Sequence, residues 1–527
     1  MELRRGIEEA LRLVEEGNYR LVLEFPTGYG KSMGGASIYR LVNRLGLPEE
    51  RVVHVLPLRA IVEDLAKRMY EKLGEIVTYQ AGSYIQLPDG TPLEKTPFFD
   101  GEYNITTLDS FVHNLFKVPV TEVFRERKHY YIPFERIYTS TVILDEAHLM
   151  AGSGDPKVRT AFLASLECLA DINSPVIIMT ATLTEGLRNS IRRVLPGVRF
   201  LRLYKKDEVV GDTIYIHDAG FEDSMGSTKY MVSRIKMNEV VGKTLELVED
   251  RKNRKKVLIV VNNISKIVEI YRQLVSRDVK AGLIHGRLTR RDRSRVMKML
   301  GELDVLIGTS AIEAGVDASF DALITVPDDP AGLVQRVGRV CRRGGDCTGE
   351  LYLVCDDEYR AIGELCDYAL SHNIQWRLPY DTDNAVSYVN LLDKSGTGLG
   401  GIEGSPLKHL CSPYIERYIL NKFIEIESYS LVREPLVEVY VRGLDEFKNA
   451  REGDIILDSY TLGASEAKEV INCVEGIGFI NEDGNPVVTD FDTGRFASDP
   501  LSAYIAFAGR YKATPVLIIK PECYEGG

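Results

Sequence analysis

"LEFPTGYGKS" (residues 23–32) is the stretch that decides the fold of this chain. The apolar run "RLVLEF" (20–25) passes into glycines, a lysine and a serine, and "KSMGGASIYRLVNRLG" (31–46) leads out with helical character. A phosphate-binding loop needs inward-pointing backbone N–H groups, glycines that permit that geometry, and a lysine that reaches the β- and γ-phosphates. The strict pattern G-x-x-x-x-G-K-[ST] ends here in Gly30, Lys31 and Ser32, while its first glycine is replaced by Phe25. A strand before and a helix after supply the required context. Thr27, Gly28, Gly30, Lys31 and Ser32 are therefore the candidate nucleotide-binding residues.

Outward from the loop, "RVVHVLP" (51–57), "TVILDEAH" (141–148) and "PVIIMTATL" (175–183) are continuous rather than alternating apolar runs, as buried parallel strands are. Each is followed by a helical pattern, which predicts a doubly wound α/β domain. Residues 204–228 lose the pattern and read as a linker with one strand. A second α/β series follows in "KVLIVVN" (256–262), "VKAGLIHG" (279–286), "LDVLIGTS" (303–310), "FDALITVP" (320–327) and "GELYLVC" (349–355). Residues 394–405 are Gly/Ser-rich and read as a loop. Residues 406–527 are mixed, with a β-rich last third in which "DGNPVV" (483–488) is a turn leading into a strand.

Asp145 and Glu146 of "VILDEAH" fall at the C-terminal end of a strand, the edge where parallel sheets bind ligands. There Asp145 suits Mg²⁺, and Glu146 suits orienting and deprotonating a water. "TATL" (180–183) ends the next strand. In the second series lie "GTSAIEAGVD" (308–317) and "QRVGRVCRRGG" (335–345). Phosphoryl transfer needs positive charge at the γ-phosphate. Arg336, Arg339 and Arg342 recur every three residues, which predicts one helical face.

Composition sets outer bounds. The chain has 527 residues, 44% hydrophobic and 27% charged, which suits a soluble globular protein of about three domains. No run nears the ~18 apolar residues of a membrane span, and the N-terminal stretch lacks a signal-peptide core. The eight cysteines are scattered without a C-x-x-C pair, which argues against a disulfide framework or zinc ribbon and for the cytoplasm. Five glutamines beside many Glu, Lys and Arg hint at heat stability. The net charge of −12 does not favour nucleic acid, but 188–206, 251–256 and 285–298 are basic clusters. Each is equally open to a reading as solvated helix faces and turns.

The phosphate loop, D-E-A-H, T-A-T, G-T-S-x-x-E-x-G-x-D and Q-R-x-G-R-x-x-R occur here in the order of superfamily 2 helicases, and together cover residues 25–343. The resemblance implies two RecA-like domains closing on ATP. By position, Lys31 would hold phosphate, Ser32 and Asp145 would hold Mg²⁺, and Glu146 would be the base. His148, Thr180 and Thr182 would couple the domains. Gln335, Arg339 and Arg342 would reach the γ-phosphate, Gly315 and Asp317 would complete the site, and Thr309 would touch a nucleic-acid phosphate. The implied units are 1–205 and 206–375, RecA-like doubly wound parallel-sheet motor domains, and 376–527, an α+β accessory region.

"LPLRAIVEDLAKRM" (56–69), "NITTLDSFV" (104–112), "IEAGVD" (312–317) and "WRLPYDTDNAVSYVNLL" (376–392) resemble more closely the helicase part of the CRISPR-associated type I helicase–nuclease. That resemblance implies 3′→5′ movement on single-stranded DNA, with Arg59 and Thr107 along the strand and a guide-RNA surveillance complex as the source of DNA. Arg59 also admits a plain reading as a helix N-terminal residue bonded to backbone. The family's HD nuclease needs a helical domain rich in histidine. The one His-Asp pair, His217–Asp218, lies in a strand-like stretch and reads as chance, so an HD-type nuclease subunit is expected to be separate. A DNA-repair or RNA helicase of the same superfamily, and a non-enzymatic interaction module that keeps the fold, remain alternatives.

Overall fold

The computed structural model describes residues 3–46, 50–82, 85–118, 131–151, 156–250, 254–313, 316–392, 411, 431–481, 483–524 and 526. The Gly/Ser-rich stretch 394–405 and Gly315 lie outside them.

Each continuous apolar run of the first series is a strand buried on both faces. In spatial order the nine-stranded sheet is Val77–Gln80, Tyr103–Thr107, Arg51–Leu56, Ser140–Leu144, Val176–Thr180, Arg20–Glu24, Arg199–Leu203, Thr213–Ile216 and Glu208–Val210. All neighbours are parallel except the last pair. The register sets Glu24 against Thr180 and Val55 against Leu144. The phosphate loop, D-E-A-H and T-A-T therefore leave the same sheet edge side by side. Helices cover both faces over two apolar cores.

Tyr103–Thr107 was not legible as a strand because it carries Asn104, Thr106 and Thr107. It is nonetheless wholly buried. Most of its polar groups find partners: Asn104 Nδ2 donates to Thr78 Oγ1 at 3.0 Å and Thr106 Oγ1 to the Gln80 carbonyl at 2.6 Å, which reduces the penalty of burying them, while Asn104 Oδ1 has no hydrogen-bond partner among the described residues.

The stretch 204–228 is more than a linker with one strand. Glu208–Val210 and Thr213–Ile216 hydrogen-bond into the first sheet, and Ala219–Gly226 is a helix. Asp218 caps that helix, accepting from Phe221 N at 2.9 Å, and His217 Nε2 lies 3.1 Å from Glu222. The change of sheet comes after this helix. The second sheet has six parallel strands in the order Lys229–Ile235, Thr348–Val354, Ala322–Thr325, Val257–Val260, Val305–Gly308 and Ala281–Ile284. The five predicted runs are all present. The edge strand Lys229–Ile235 escaped notice because it is half-exposed.

The C-terminal part is α+β, as expected. Ser459–Gly463, Leu436–Tyr440, Val516–Ile519, Val474–Ile480 and Pro486–Val488 form a mixed sheet in that order, packed on the helices Thr493–Ser498 and Pro500–Tyr511. Gly484, at φ 78°, makes the predicted turn. This sheet bridges both parallel-sheet domains. Arg433 donates to Asp109 and to the Pro57 carbonyl, both at 3.1 Å, while Arg291 meets Asp458 at 2.7 Å and Tyr524 Oη meets Asp292 at 2.8 Å.

The cysteines correct the sequence reading. All eight are paired: Cys168–Cys411, Cys341–Cys347, Cys355–Cys366 and Cys473–Cys523. Scatter in sequence did not report proximity in space, since the fold joins partners as far as 243 positions apart. The cysteine argument for a cytoplasmic setting falls with it, because that argument rested on unpaired cysteines; the pairing does not decide the compartment, since disulfides also staple intracellular proteins of hyperthermophiles. Among the described residues no helix is long and apolar enough to cross a membrane.

Candidate active site

The phosphate loop turns where only glycine is comfortable. Gly28 and Gly30 have φ of 83° and 93°, and a Cβ at either would face open space, so strain rather than crowding selects glycine. The helix Lys31–Leu45 starts at the loop and points its positive end at it. Phe25 replaces the first glycine without cost because its ring turns away: it is fully buried, 4.7 Å from the Tyr29 ring. Tyr29 is itself pinned, accepting from Gly6 N at 2.9 Å and donating to Asp218 Oδ2 at 2.5 Å. Lys31 Nζ donates to the Phe25 and Pro26 carbonyls at 2.6 and 3.1 Å. Burial lowers its pKa, opposed by the Glu146 and Asp145 charges.

Asp145 is wholly buried behind the loop. Burial opposes its ionisation, yet hydrogen bonds to His54 and Ser32 and the Lys31 charge hold its carboxyl below the usual range. His54 Nε2 lies 3.4 Å from Asp145 Oδ2, and Tyr103 Oη lies 2.7 Å from His54 Nδ1. This supporting pair was missed. The signal for it was a histidine inside the otherwise apolar run "RVVHVLP". Glu146 follows at φ 53°, a left-handed backbone that side chains rarely adopt, and such outliers cluster at functional sites. Its Oε2 is buried with no hydrogen-bond partner among the described residues and lies 3.6 Å from His148 Nδ1. His148 is kept neutral by burial, against the pull of Glu146. Thr180 Oγ1 sits 3.3 Å from His148 Nδ1 and donates to the Thr182 carbonyl at 2.8 Å. His148 and Thr180, two of the three residues expected to couple the domains, therefore touch directly.

The arginines arrive from the second domain, but not as a helical stripe. The helix Pro330–Val337 ends before two of the three. Arg336 turns inward to Glu313 at 2.7 Å and Asp328 at 2.9 Å and holds the domain together. Arg339 and Arg342 lie on the turn beyond the helix, a turn that includes Cys341 at φ 51°. Arg339 Nη1 donates to the Val316 carbonyl at 2.6 Å, and Arg342 Nη2 meets Asp317 at 3.2 Å. Burial and the neighbouring Arg342 push Arg339 down to about 10, still a cation at neutral pH.

These groups converge. Thr27, Gly28, Gly30, Lys31, Ser32, Glu146 and His148 of the first domain, and Asp317, Gln335, Arg339 and Arg342 of the second, line one cavity of about 350 Å³. Thr27 Oγ1 donates to Gln335 Oε1 at 2.8 Å across the divide. Gln335 Nε2 and Arg339 Nε are buried without hydrogen-bond partners among the described residues. Orphaned donors beside three further cationic or N–H sources fit a polyphosphate. Ser32 and Asp145, bonded to each other, are hard oxygen donors of the kind that share Mg²⁺ with phosphate. Asp64 and Arg68, paired at 2.6 Å, also line the cavity. They come from "LPLRAIVEDLAKRM", a stretch read only for nucleic acid.

Three expected nucleic-acid residues stand outside this cavity. Thr107 caps the helix Leu108–Leu115, accepting from Ser110 N at 3.3 Å. Thr309 caps the turn at Ser310–Ile312. Arg59 opens the helix Arg59–Leu73, 3.7 Å from Glu438 of the C-terminal sheet, and lines a second cavity of about 340 Å³ with Lys67, Arg290, Arg293 and Tyr460. Arg59, Arg290 and Arg293 make that cavity basic.

Two family models match the chain. "DEAD/DEAH box helicase" matches residues 5–190, and "CRISPR-associated nuclease/helicase Cas3, C-terminal" matches residues 253–345. A CRISPR-associated helicase Cas3 of Thermoproteus tenax is 27% identical over 366 residues, covering 65% of this chain and 57% of that protein. A CRISPR-associated nuclease/helicase Cas3 of Methanothermobacter thermautotrophicus is 25% identical over 373 residues, covering 64% and 40%. This chain thus spans little more than half, or less, of these curated relatives. A crystal structure of T. fusca Cas3 with AMPPNP aligns over 99% of this chain and 68% of that one, with a TM-score of 0.57 at 13% identity, a likeness of fold.

Proposed function

For a chain that carries a DEAD/DEAH box helicase domain followed by a Cas3-like C-terminal helicase domain, we propose ATP-driven movement along single-stranded DNA. The observation that carries the reading is the single cavity lined by Lys31, Glu146, Gln335, Arg339 and Arg342 from two parallel-sheet domains. A binding module that had merely kept the fold would have no need of a Glu146 on a left-handed backbone, its Oε2 without a hydrogen bond among the described residues, in a cavity shared with two arginines.

ATP would supply the phosphoryl group, and a bound Mg²⁺ would supply positive charge against its phosphates. Backbone N–H groups from Gly28 to Ser32 and the Lys31 ammonium hold the β- and γ-phosphates. Ser32 and Asp145 would hold Mg²⁺, with His54 and Tyr103 fixing the Asp145 carboxylate. Glu146 Oε2 takes a proton from the attacking water. Gln335, Arg339 and Arg342 meet the γ-phosphate from the far side, so hydrolysis requires the cleft to be closed. His148, Thr180 and Thr182 carry the change to the sheet edge. The strand lies against Arg59, Thr107 and Thr309 through its phosphates, so base preference is slight.

The CRISPR-associated helicase relatives support a place in a CRISPR system; within it we propose type I interference, with 3′→5′ movement along the strand displaced by a guide-RNA duplex. Delivery falls to the guide-RNA complex and cutting to an HD-type nuclease subunit. His217 and Asp218 are engaged with Glu222 and with Tyr29 and Phe221. The test is ATP hydrolysis by the purified chain with single-stranded DNA, with single-stranded RNA and with neither. Stimulation by DNA is expected; stimulation by RNA alone would place the chain among RNA helicases.

A further inference from the structure

Arg377, beyond the second sheet, is 3% exposed. Its Nη1 donates to the Gly338 carbonyl and its Nη2 to the Arg342 carbonyl, each at 2.9 Å. These two carbonyls bracket the turn that presents Arg339 and Arg342, and within it Cys341 has a left-handed backbone. A guanidinium is a rigid fork, so one side chain fixes the distance between both ends of the turn.

The same segment reaches the first domain. Tyr388, buried in the second domain's core, donates from Oη to the Ala181 carbonyl of T-A-T at 3.3 Å. Leu378 and Tyr380 pack in the first domain's core beside Phe221 and Met225. The helix Ala219–Gly226 completes the link. Its cap Asp218 takes the Tyr29 hydroxyl of the phosphate loop, its Ser224 carbonyl accepts from Gly345 N at 2.7 Å, and Met225 Sδ lies 3.2 Å from Arg377 Nη2. Gly344, at φ 71°, has no room for a side chain, since a Cβ would sit 2.1 Å from the Ser224 carbonyl.

We infer that Arg377 is a positioning residue for hydrolysis: it clamps the 338–342 turn so that Arg339 and Arg342 face the γ-phosphate, within a strut (376–388) that ties this turn to the T-A-T turn. The inference rests on the assignment of Arg339 and Arg342 to that phosphate. Displacing a catalytic group by about 1 Å costs on the order of 10²-fold in rate, so losing the clamp should act on kcat and leave ATP binding, which the phosphate loop supplies, largely intact.

The experiment measures oligodeoxythymidylate-stimulated ATP hydrolysis, by steady-state and single-turnover kinetics, for wild type, Arg377→Met, Arg377→Lys, Arg339→Ala and the Arg339→Ala/Arg377→Met pair. Arg377→Met is expected to lower kcat about tenfold or more with KM for ATP changed less than about threefold. Arg377→Lys, which keeps the charge but offers a single nitrogen in place of the two fixed Nη donors of the guanidinium fork, is expected to stay impaired, and it decides the matter if Arg377→Met does not fold. In the Arg339→Ala background Arg377→Met should add less than its own loss, because the part of the clamp's effect that runs through Arg339 is already gone and only the part through Arg342 remains. Unchanged kcat in folded Arg377→Lys, or losses that multiply fully, would overturn the inference while leaving the ATPase reading intact. A wild-type chain inert toward ATP would overturn that reading and the inference with it.

Discussion

Thr27 Oγ1 donates a hydrogen bond to Gln335 Oε1 over 2.8 Å, joining the phosphate loop to the arginine-bearing segment 308 positions away. The bond crosses the divide between the two parallel sheets, so it stabilises the cleft in the state seen here. The double-mutant cycle of Thr27→Val and Gln335→Ala is expected to show coupling of about 0.5–1.5 kcal/mol in kcat/KM for ATP. Strictly additive losses would mean that the two residues act separately.

Glu146→Gln is expected to lower ATP hydrolysis by about 10²–10⁴-fold while leaving ATP binding nearly unchanged, because only the water-activating carboxylate is lost. Asp145→Asn should weaken Mg²⁺-dependent ATP binding as well. Hydrolysis at the wild-type rate in Glu146→Gln would remove the base from the mechanism. Nucleotide titration of both variants separates binding from chemistry.

Arg339→Ala and Arg342→Ala should each lower kcat by up to about 10³-fold, with far smaller changes in ATP affinity. On the proposed reading the two residues, which line the cavity from the second domain, would meet the phosphate only across a closed cleft. A large rise in KM at unchanged kcat would contradict the closing-cleft mechanism.

Acid should loosen the C-terminal segment through His113. This ring is buried, its Nε2 accepts from Leu431 N at 3.2 Å, and its Nδ1 lies 3.2 Å from the Val118 carbonyl. Burial lowers its pKa to about 4 from the usual 6.5. The unfolded chain therefore binds a proton at a higher pH than the folded chain does. The stabilisation is full above pH ~6.5 and is lost as pH falls toward ~4, at a slope of up to about 1.4 kcal/mol per pH unit. Melting temperature measured across this range should fall less steeply in His113→Gln than in wild type.

Thiol labelling of the denatured, unreduced protein should find no free cysteine, and reduction should lower the melting temperature. Cys168–Cys411 closes the longest loop, and a disulfide of this kind typically contributes about 2–4 kcal/mol. Abundant free thiol in freshly purified protein, with no effect of reductant, would return the cysteines to the unpaired state expected from their spacing.

The sequence by itself determined the two parallel sheets and most of the residues that line the proposed ATP site. Short continuous runs rich in Val and Ile read as strands covered on both faces, and the phosphate loop and D-E-A-H follow directly upon two of them, so connectivity carried Lys31, Asp145 and Glu146 to one sheet edge. What depended on distance across the fold was not legible. Spacing of three suggested one face for Arg336, Arg339 and Arg342, but the helix stops at Val337, and tertiary contacts send Arg336 to Glu313 and the other two to the cleft. His54 became a support for Asp145, and Asp218 an anchor for Tyr29, only when separate elements packed together. The cysteines paired for the same reason: a disulfide depends on the approach of two Cα atoms, 5.8 Å for Cys168 and Cys411, and linear spacing does not encode that.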